Sequence, residues 1–265
     1  MNRILSHLLI PLTVCLFIIF GCRDVEVQKQ EKISRPFQEY SMKDDSIQKE
    51  LDAIYSLLAY SIVFQDWQPD SIPRSERRGY NIGTVLVNEN NEVVHWALNS
   101  INSSNNSTQH GEVRAITSYL ASSKSFNLKN FTLYTTLEPC AMCAGMMVMT
   151  SIERVVYGQS DVDYSKALDR LALDSKKFGG FAPYPRIVIS DSSPSKYSVA
   201  LDEAFSSFLK TDEEKYLAKF LTTTQTYKIY QKANQQFLNF QVDHPENQER
   251  YNKAKEFFKE SFPIK

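Results

Sequence analysis

Apolar residues at Ile47, Leu51, Ile54, Leu58 and Ile62 recur every three or four positions, which predicts a helix over 45–64 with one apolar stripe and Asp45 or Ser46 as its cap. After a polar loop holding Pro69 and Pro73, the runs IGTVLV (82–87) and EVVHWAL (92–98) flank the turn 88–91 and read as a β-hairpin. Residues 100–109 are almost wholly Ser, Asn and Thr, a loop, and a helical pattern begins behind them at His110. The strand FTLYTT (131–136), a helix over 139–150 and the strand ERVVYG (153–158) follow. Next come a helix carrying Tyr164, Leu168 and Leu171 on one face, a Gly/Pro-rich loop, a fifth strand RIVI (186–189), and a helix with Leu201, Phe205 and Phe208 inward. Residues 212–265 predict two further helices, broken at 243–245.

This order predicts an α/β fold: a three-layer α/β/α sandwich around a five-stranded mixed sheet, strands four and five parallel, with 212–265 as a C-terminal helical extension. The aromatic residues of that extension accompany a near-balanced charge, so they read as packing groups rather than as platforms for stacked bases.

The first 22 residues follow a different rule. Asn2 and Arg3 precede an apolar run over 8–20 that ends at Gly21-Cys22, the layout of a secretory signal. The run is shorter than the roughly 20 residues a membrane-crossing helix needs. Ile19-Phe20-Gly21-Cys22 resembles a bacterial lipobox, which predicts a signal peptide over 1–21, lipidation at Cys22 and a polar tether over 22–43. A plain signal peptide and an uncleaved N-terminal anchor are the alternatives, and all three export the domain.

The 265 residues include 30 Lys+Arg and 31 Asp+Glu, a formal net charge of −1, so no global field draws the chain to a polyanion. The four cysteines, Cys15, Cys22, Cys140 and Cys143, are too few for a disulfide scaffold. With Cys15 in the leader and Cys22 lipidated, Cys140 and Cys143 are the thiols whose chemistry needs explaining.

His110-Gly-Glu112 and, 30 residues after the histidine, Pro139-Cys140-Ala-Met-Cys143 fit the H-x-E…P-C-x-x-C pattern of zinc deaminases. One imidazole and two thiolates suit zinc, and three protein ligands leave the fourth position open to water, the mark of a catalytic site. Cys140 and Cys143 share a helix face, and Pro139 suits the first helical position, which puts both sulfurs in the first turn, where the helix dipole favours thiolates. His110 is expected to donate its second ring nitrogen to a carbonyl or carboxylate. Glu112 is expected to shuttle protons while water displaces an exocyclic amine from an sp² carbon. A redox C-x-x-C leaves His110 and Glu112 unexplained, and a structural zinc site closes with four protein ligands. His95 reads as a structural strand residue and His244 as a cap or surface group.

HGEVRAI followed by FTLYTTLEPCAMCAGMMVMTSIERVVYG resembles the cytidine/deoxycytidylate deaminase superfamily, especially its TadA-type tRNA adenosine deaminase and guanine deaminase branch, over about residues 45–210. The resemblance implies a zinc deaminase domain over 44–211, with zinc at His110, Cys140 and Cys143, the proton shuttle at Glu112 and the three-layer fold. It also puts a base-binding asparagine at Asn99 and an acidic family position near Asp161. It implies a homodimer, for which Met142, Met146, Met147 and Met149 are candidate contacts. Gly111 where Ala is usual, the long 66–81 loop and residues 212–265 depart from the pattern. The expectation is therefore a zinc-dependent hydrolase that deaminates a nucleobase, nucleoside or nucleotide, exported and lipid-anchored at the membrane of a bacterial cell envelope. The alternatives are an adenosine-to-inosine deaminase acting on RNA, and a non-catalytic zinc-containing binding module.

Overall fold

The computed structural model describes residues 45–211 and 215–263. The expected signal peptide, Cys22 and the tether lie outside the described residues. Among the described residues no helix is long and apolar enough to cross a membrane.

The elements run α1 (Asp45–Gln65), β1 (Gly83–Val87), β2 (Val93–Leu98), α2 (Gly111–Ser123), β3 (Thr132–Leu137), α3 (Ala141–Thr150), β4 (Arg154–Gln159), α4 (Ala167–Leu171), β5 (Ile189–Ser192), α5 (Lys196–Thr211), α6 (Leu217–Phe220), α7 (Thr224–Leu238) and α8 (Pro245–Ser261). The five strands form one sheet in the order β2-β1-β3-β4-β5. β1 pairs antiparallel with β2 and β3, while β3, β4 and β5 run parallel, as expected when helices α3 and α4 make the crossovers.

Alternation along the strands divides the interior into two cores. Val85, Val87, Tyr134 and Val156 face α1, α5 and α7, while Leu86, Leu133 and Val155 face α2, α3 and α4. The five-stranded α/β/α sandwich expected from the pattern is thus present.

Helix α1 departs from the one-stripe expectation. From Ile54 to Val63 every residue is buried, because the sheet covers one side and the C-terminal helices cover the other. Tyr60 meets Tyr230 of α7 edge to face at 5.2 Å, and Asn247 of α8 donates from Nδ2 to the Ile47 carbonyl at 2.9 Å. The run YSLLAYSIVF, apolar almost all round, was the available signal for a doubly covered helix. Helices α7 and α8 therefore share the core that α1 makes with the sheet.

Two element boundaries differ from expectation. The fifth strand is Ile189–Ser192 rather than 186–189, in register with β4 through the pairs Arg154↔Ile189 and Val156↔Asp191. In this register Asp191 accepts from Arg154 Nε at 2.7 Å. Tyr164 is not helical: Asp161 Oδ1 accepts the backbone N–H groups of Asp163 and Tyr164 at 3.0 Å, forming a polar turn, and α4 starts only at Ala167.

Candidate metal centre

Two helix starts meet at the site. His110 is the N-cap of α2 and Cys140 the N-cap of α3, both in extended backbone conformation, while Cys143 sits in the first turn of α3. Pro139 therefore precedes the cap instead of opening the helix, two positions before the N1 site that its preference suggested. The consequence for the thiols is the one expected, since both sulfurs remain at the positive end of the α3 dipole.

The three donor atoms are spaced for one ion. Cys140 Sγ and Cys143 Sγ are 3.6 Å apart, and His110 Nδ1 lies 3.8 Å from the first and 3.6 Å from the second. Tetrahedral zinc, with Zn–S about 2.3 Å and Zn–N about 2.0 Å, requires sulfurs about 3.8 Å apart and each about 3.5 Å from the nitrogen. Among the described residues this trio is the one group of three or more His, Cys, Asp or Glu gathered tightly enough to hold a metal, so it presents three protein ligands and not four.

The two thiols interact strongly. The Cys140 thiol is pulled well down, first by its hydrogen bond with Cys143 and then, against burial, by His110 and the Cys143 backbone N–H. The Cys143 thiol is pushed far up by that same bond and by burial. A divalent ion held by His110, Cys140 and Cys143 would let both sulfurs carry charge. The expected second partner of the imidazole is not found: among the described residues His110 Nε2 has no hydrogen-bond acceptor.

Glu112, in the first turn of α2, is 3% exposed. Its Oε1 accepts from the Thr135 hydroxyl of β3 at 3.2 Å, while its Oε2 is buried without a partner among the described residues. Burial raises its carboxyl above the ordinary range, and the charge of neighbouring His110 opposes that rise. A buried carboxyl with one committed oxygen and one free oxygen beside a metal trio is placed to take and return a proton.

Comparison with known proteins agrees with this geometry. The model of the family "Cytidine and deoxycytidylate deaminase zinc-binding region" matches residues 71–159, a span that contains all four of these side chains. A tRNA-specific adenosine deaminase of Rickettsia felis is 31% identical over 114 residues, 42% of this chain and 79% of that protein. The chain belongs to the cytidine and deoxycytidylate deaminase family.

Another relative, the tRNA-specific adenosine deaminase of Buchnera aphidicola (subsp. Schizaphis graminum), is 39% identical over 85 residues, 32% of this chain; the chain spans about half of its length, 56%. A Schizosaccharomyces pombe protein named "Probable cytosine deaminase" is 33% identical over 113 residues, 40% of this chain and 68% of that protein.

Within this deaminase domain Asn99 is fully buried and is not among the residues that line the cavity beside the metal trio. Its Oδ1 accepts the Tyr80 N–H at 3.0 Å, and its Nδ2 has no partner among the described residues. Gly79 permits this arrangement, because a Cβ there would stand 2.3 Å from Asn99 Oδ1. Gly111 is explained in the same way: a Cβ would meet Thr84 Oγ1 at 3.0 Å and the Ala97 carbonyl at 3.2 Å, so glycine lets α2 start hard against the sheet.

The cavity over the trio measures about 580 Å³. Sequence reasoning missed several of its walls. Glu138, beside Pro139, is buried and spends both carboxylate oxygens on the N–H groups of Asp161 and Lys166, which holds the 161–166 turn against the site. Tyr164 lines the cavity from that turn, and Tyr216 to Ala218 line it from the C-terminal extension. Glu138 was legible as a second acid next to the cysteine motif; the extension carried no signal, since only tertiary packing brings it there. His95 is half-buried against Tyr119, with its pKa lowered by burial, and His244 is the N-cap of α8 with no side-chain cap bond. Met147 is core, while Met149 is 60% exposed.

Proposed function

We propose that this protein hydrolytically deaminates a nucleobase or a molecule built on one, replacing an exocyclic amine by a carbonyl with release of ammonia. The single observation that carries the reading is the free, buried Oε2 of Glu112 beside three donor atoms at tetrahedral zinc spacing. When bound, zinc supplies a Lewis acid that brings the pKa of a water toward neutrality. The chain's own residues do the rest. Glu112 accepts the proton of the attacking water and passes it to the ring nitrogen beside the attacked carbon. It then takes the remaining proton from the newly added hydroxyl and delivers it to the departing amine, so that the carbonyl forms as ammonia leaves. Thr135 holds Glu112 Oε1, so the same oxygen, Oε2, stays presented to the reacting atoms throughout.

Deamination of adenosine in RNA is the second reading, favoured by the names of the Rickettsia and Buchnera relatives. Export and lipid anchoring belong to the proposal as well, and their support is the apolar run and cysteine of residues 8–22. The test is to incubate the zinc-loaded full chain with free bases, nucleosides, nucleotides and short RNAs and to follow ammonia. Release from at least one, abolished in Glu112→Gln, is expected; release from none refutes the proposal.

A further inference from the structure

We propose that Tyr216, Leu217 and Ala218, from the C-terminal extension, form a specificity wall that admits phosphate-free nucleobases or nucleosides to the zinc site and turns away phosphorylated and polymeric ones. The proposal takes its chemistry from the deaminase reading above, whereas the wall and its charge are observations in their own right.

The wall belongs to the site. The cavity that contains His110, Glu112 and Cys140 is also lined by Tyr216, Leu217 and Ala218, which stand more than 100 positions further along the chain than Glu112. It is fastened to the body. Phe220 and Leu221, directly behind it, are almost wholly buried. Asn81 Nδ2 donates to the Leu221 carbonyl at 2.9 Å, the Thr226 hydroxyl donates to the Phe220 carbonyl at 2.9 Å, and Lys219 Nζ meets Asp70 Oδ2 at 2.5 Å. These bonds tie α6 to the long 66–81 loop, so the two departures from the family pattern explain each other. Tyr216 keeps 48% of its surface exposed at the mouth of the cavity.

Charge decides the class of ligand. Four carboxylates line the cavity, Glu112, Glu138, Asp161 and Asp163, and among the described residues that line it none is Lys or Arg. The guanidinium groups of Arg78 and Arg114 line a separate groove beside β2. A phosphate carried into this cavity would lose water and meet carboxylates without a Lys or Arg partner, which is costly. Proteins that take a base from a polynucleotide hold its flanking phosphates with Lys and Arg. The exposed groups around this cavity include Tyr164 and Tyr216, which offer ring faces and no positive charge. A cavity of about 580 Å³ with aromatic and apolar walls suits one uncharged ring system.

The deciding experiment is calorimetric titration of zinc-loaded full-length Glu112→Gln with adenine, guanine, cytosine, their nucleosides, the 5′-monophosphates and a short RNA. At least one base or nucleoside should bind about tenfold more tightly than its own monophosphate and than RNA, and adding Leu217→Ala should weaken that ligand about tenfold. Equal or tighter binding of a monophosphate or RNA, binding of no panel member, or unchanged affinities in a folded Leu217→Ala variant would each overturn the wall. Should Leu217→Ala fail to fold, Tyr216→Ala, with its half-exposed ring, gives the same readout. Ammonia release by the wild type separates the two ideas: binding without ammonia strikes the deaminase reading and leaves the wall, whereas ammonia preferentially from a monophosphate or RNA does the opposite.

Discussion

Asp52 on α1 and Arg154 on β4, 102 residues apart, are joined by two parallel bonds, Nη1 to Oδ1 at 2.8 Å and Nη2 to Oδ2 at 2.7 Å. Tyr134 donates its hydroxyl to the same Asp52 Oδ1 at 2.8 Å, and Asp52 is 3% exposed. The pair pins α1 across the middle of the sheet. Removing one partner strands the other, so Asp52→Ala should cost about 3 kcal/mol, measured as a shift of the urea midpoint at constant slope. Arg154→Met added to Asp52→Ala should cost far less than the sum of the singles. Additive losses would show that the two side chains do not act as a unit.

Glu112→Gln should lower turnover by at least about a hundredfold while zinc stays stoichiometric by atomic absorption. In the metal-free protein the same change should stabilise. The folded carboxyl titrates above its ordinary value near 4.5, so its favourable contribution is complete only below that value and is lost as pH rises through the folded one. The melting temperature of the metal-free variant should therefore exceed that of the metal-free wild type by more at pH 8 than at pH 4. A gap that narrows with rising pH would contradict the burial of this group.

Cys143→Ser should lose zinc and with it both activity and thermal stability, because Cys143 is fully buried and replacement removes a thiolate from a three-donor set. Dialysis against a chelator should lower the wild-type melting temperature in the same direction. Full zinc occupancy in the variant would remove Cys143 from the ligand set.

Asp70→Asn should loosen α6. The Lys219 and Arg77 side chains bonded to Asp70 hold its carboxyl below the ordinary value of 3.8, so its contribution is present above that value and fades as pH falls through the folded one. Asp70 is half-exposed, which keeps the effect local. Faster deuterium uptake over 217–223 at pH 7, with 132–137 unchanged, is the expected pattern, and wild type and variant should converge in acid. Equal uptake at pH 7 would show that the clamp contributes nothing.

Cys22→Ser should abolish incorporation of labelled fatty acid and move the protein from the membrane to the soluble fraction of bacteria that express it. Unchanged partition would leave the apolar run of 8–20, and not a lipid, as the anchor.

How far the sequence went depends on the range of the forces involved. His110, Glu112, Cys140 and Cys143 were legible because two helix starts and a fixed interval bring them together, and local backbone geometry does most of that work. The strands around Val85 and Tyr134 were legible from alternation. Ile189–Ser192 was not, because its own hydrophobicity does not mark it. Tyr164 was assigned to a helix by spacing alone, whereas Asp161 captures its N–H into a turn. Nothing between Tyr216 and Ala218 announces a site residue: Asp70, Asn81 and Thr226 carry that segment to the cavity.

One arrangement governs how the molecule comes into being. Helix α1 is sheltered by α7 and α8, and the Ile47 carbonyl finds its partner only at Asn247. A nascent chain leaving the ribosome thus exposes the apolar run of α1 until α7 and α8 have been made, and consolidation of this core waits for them.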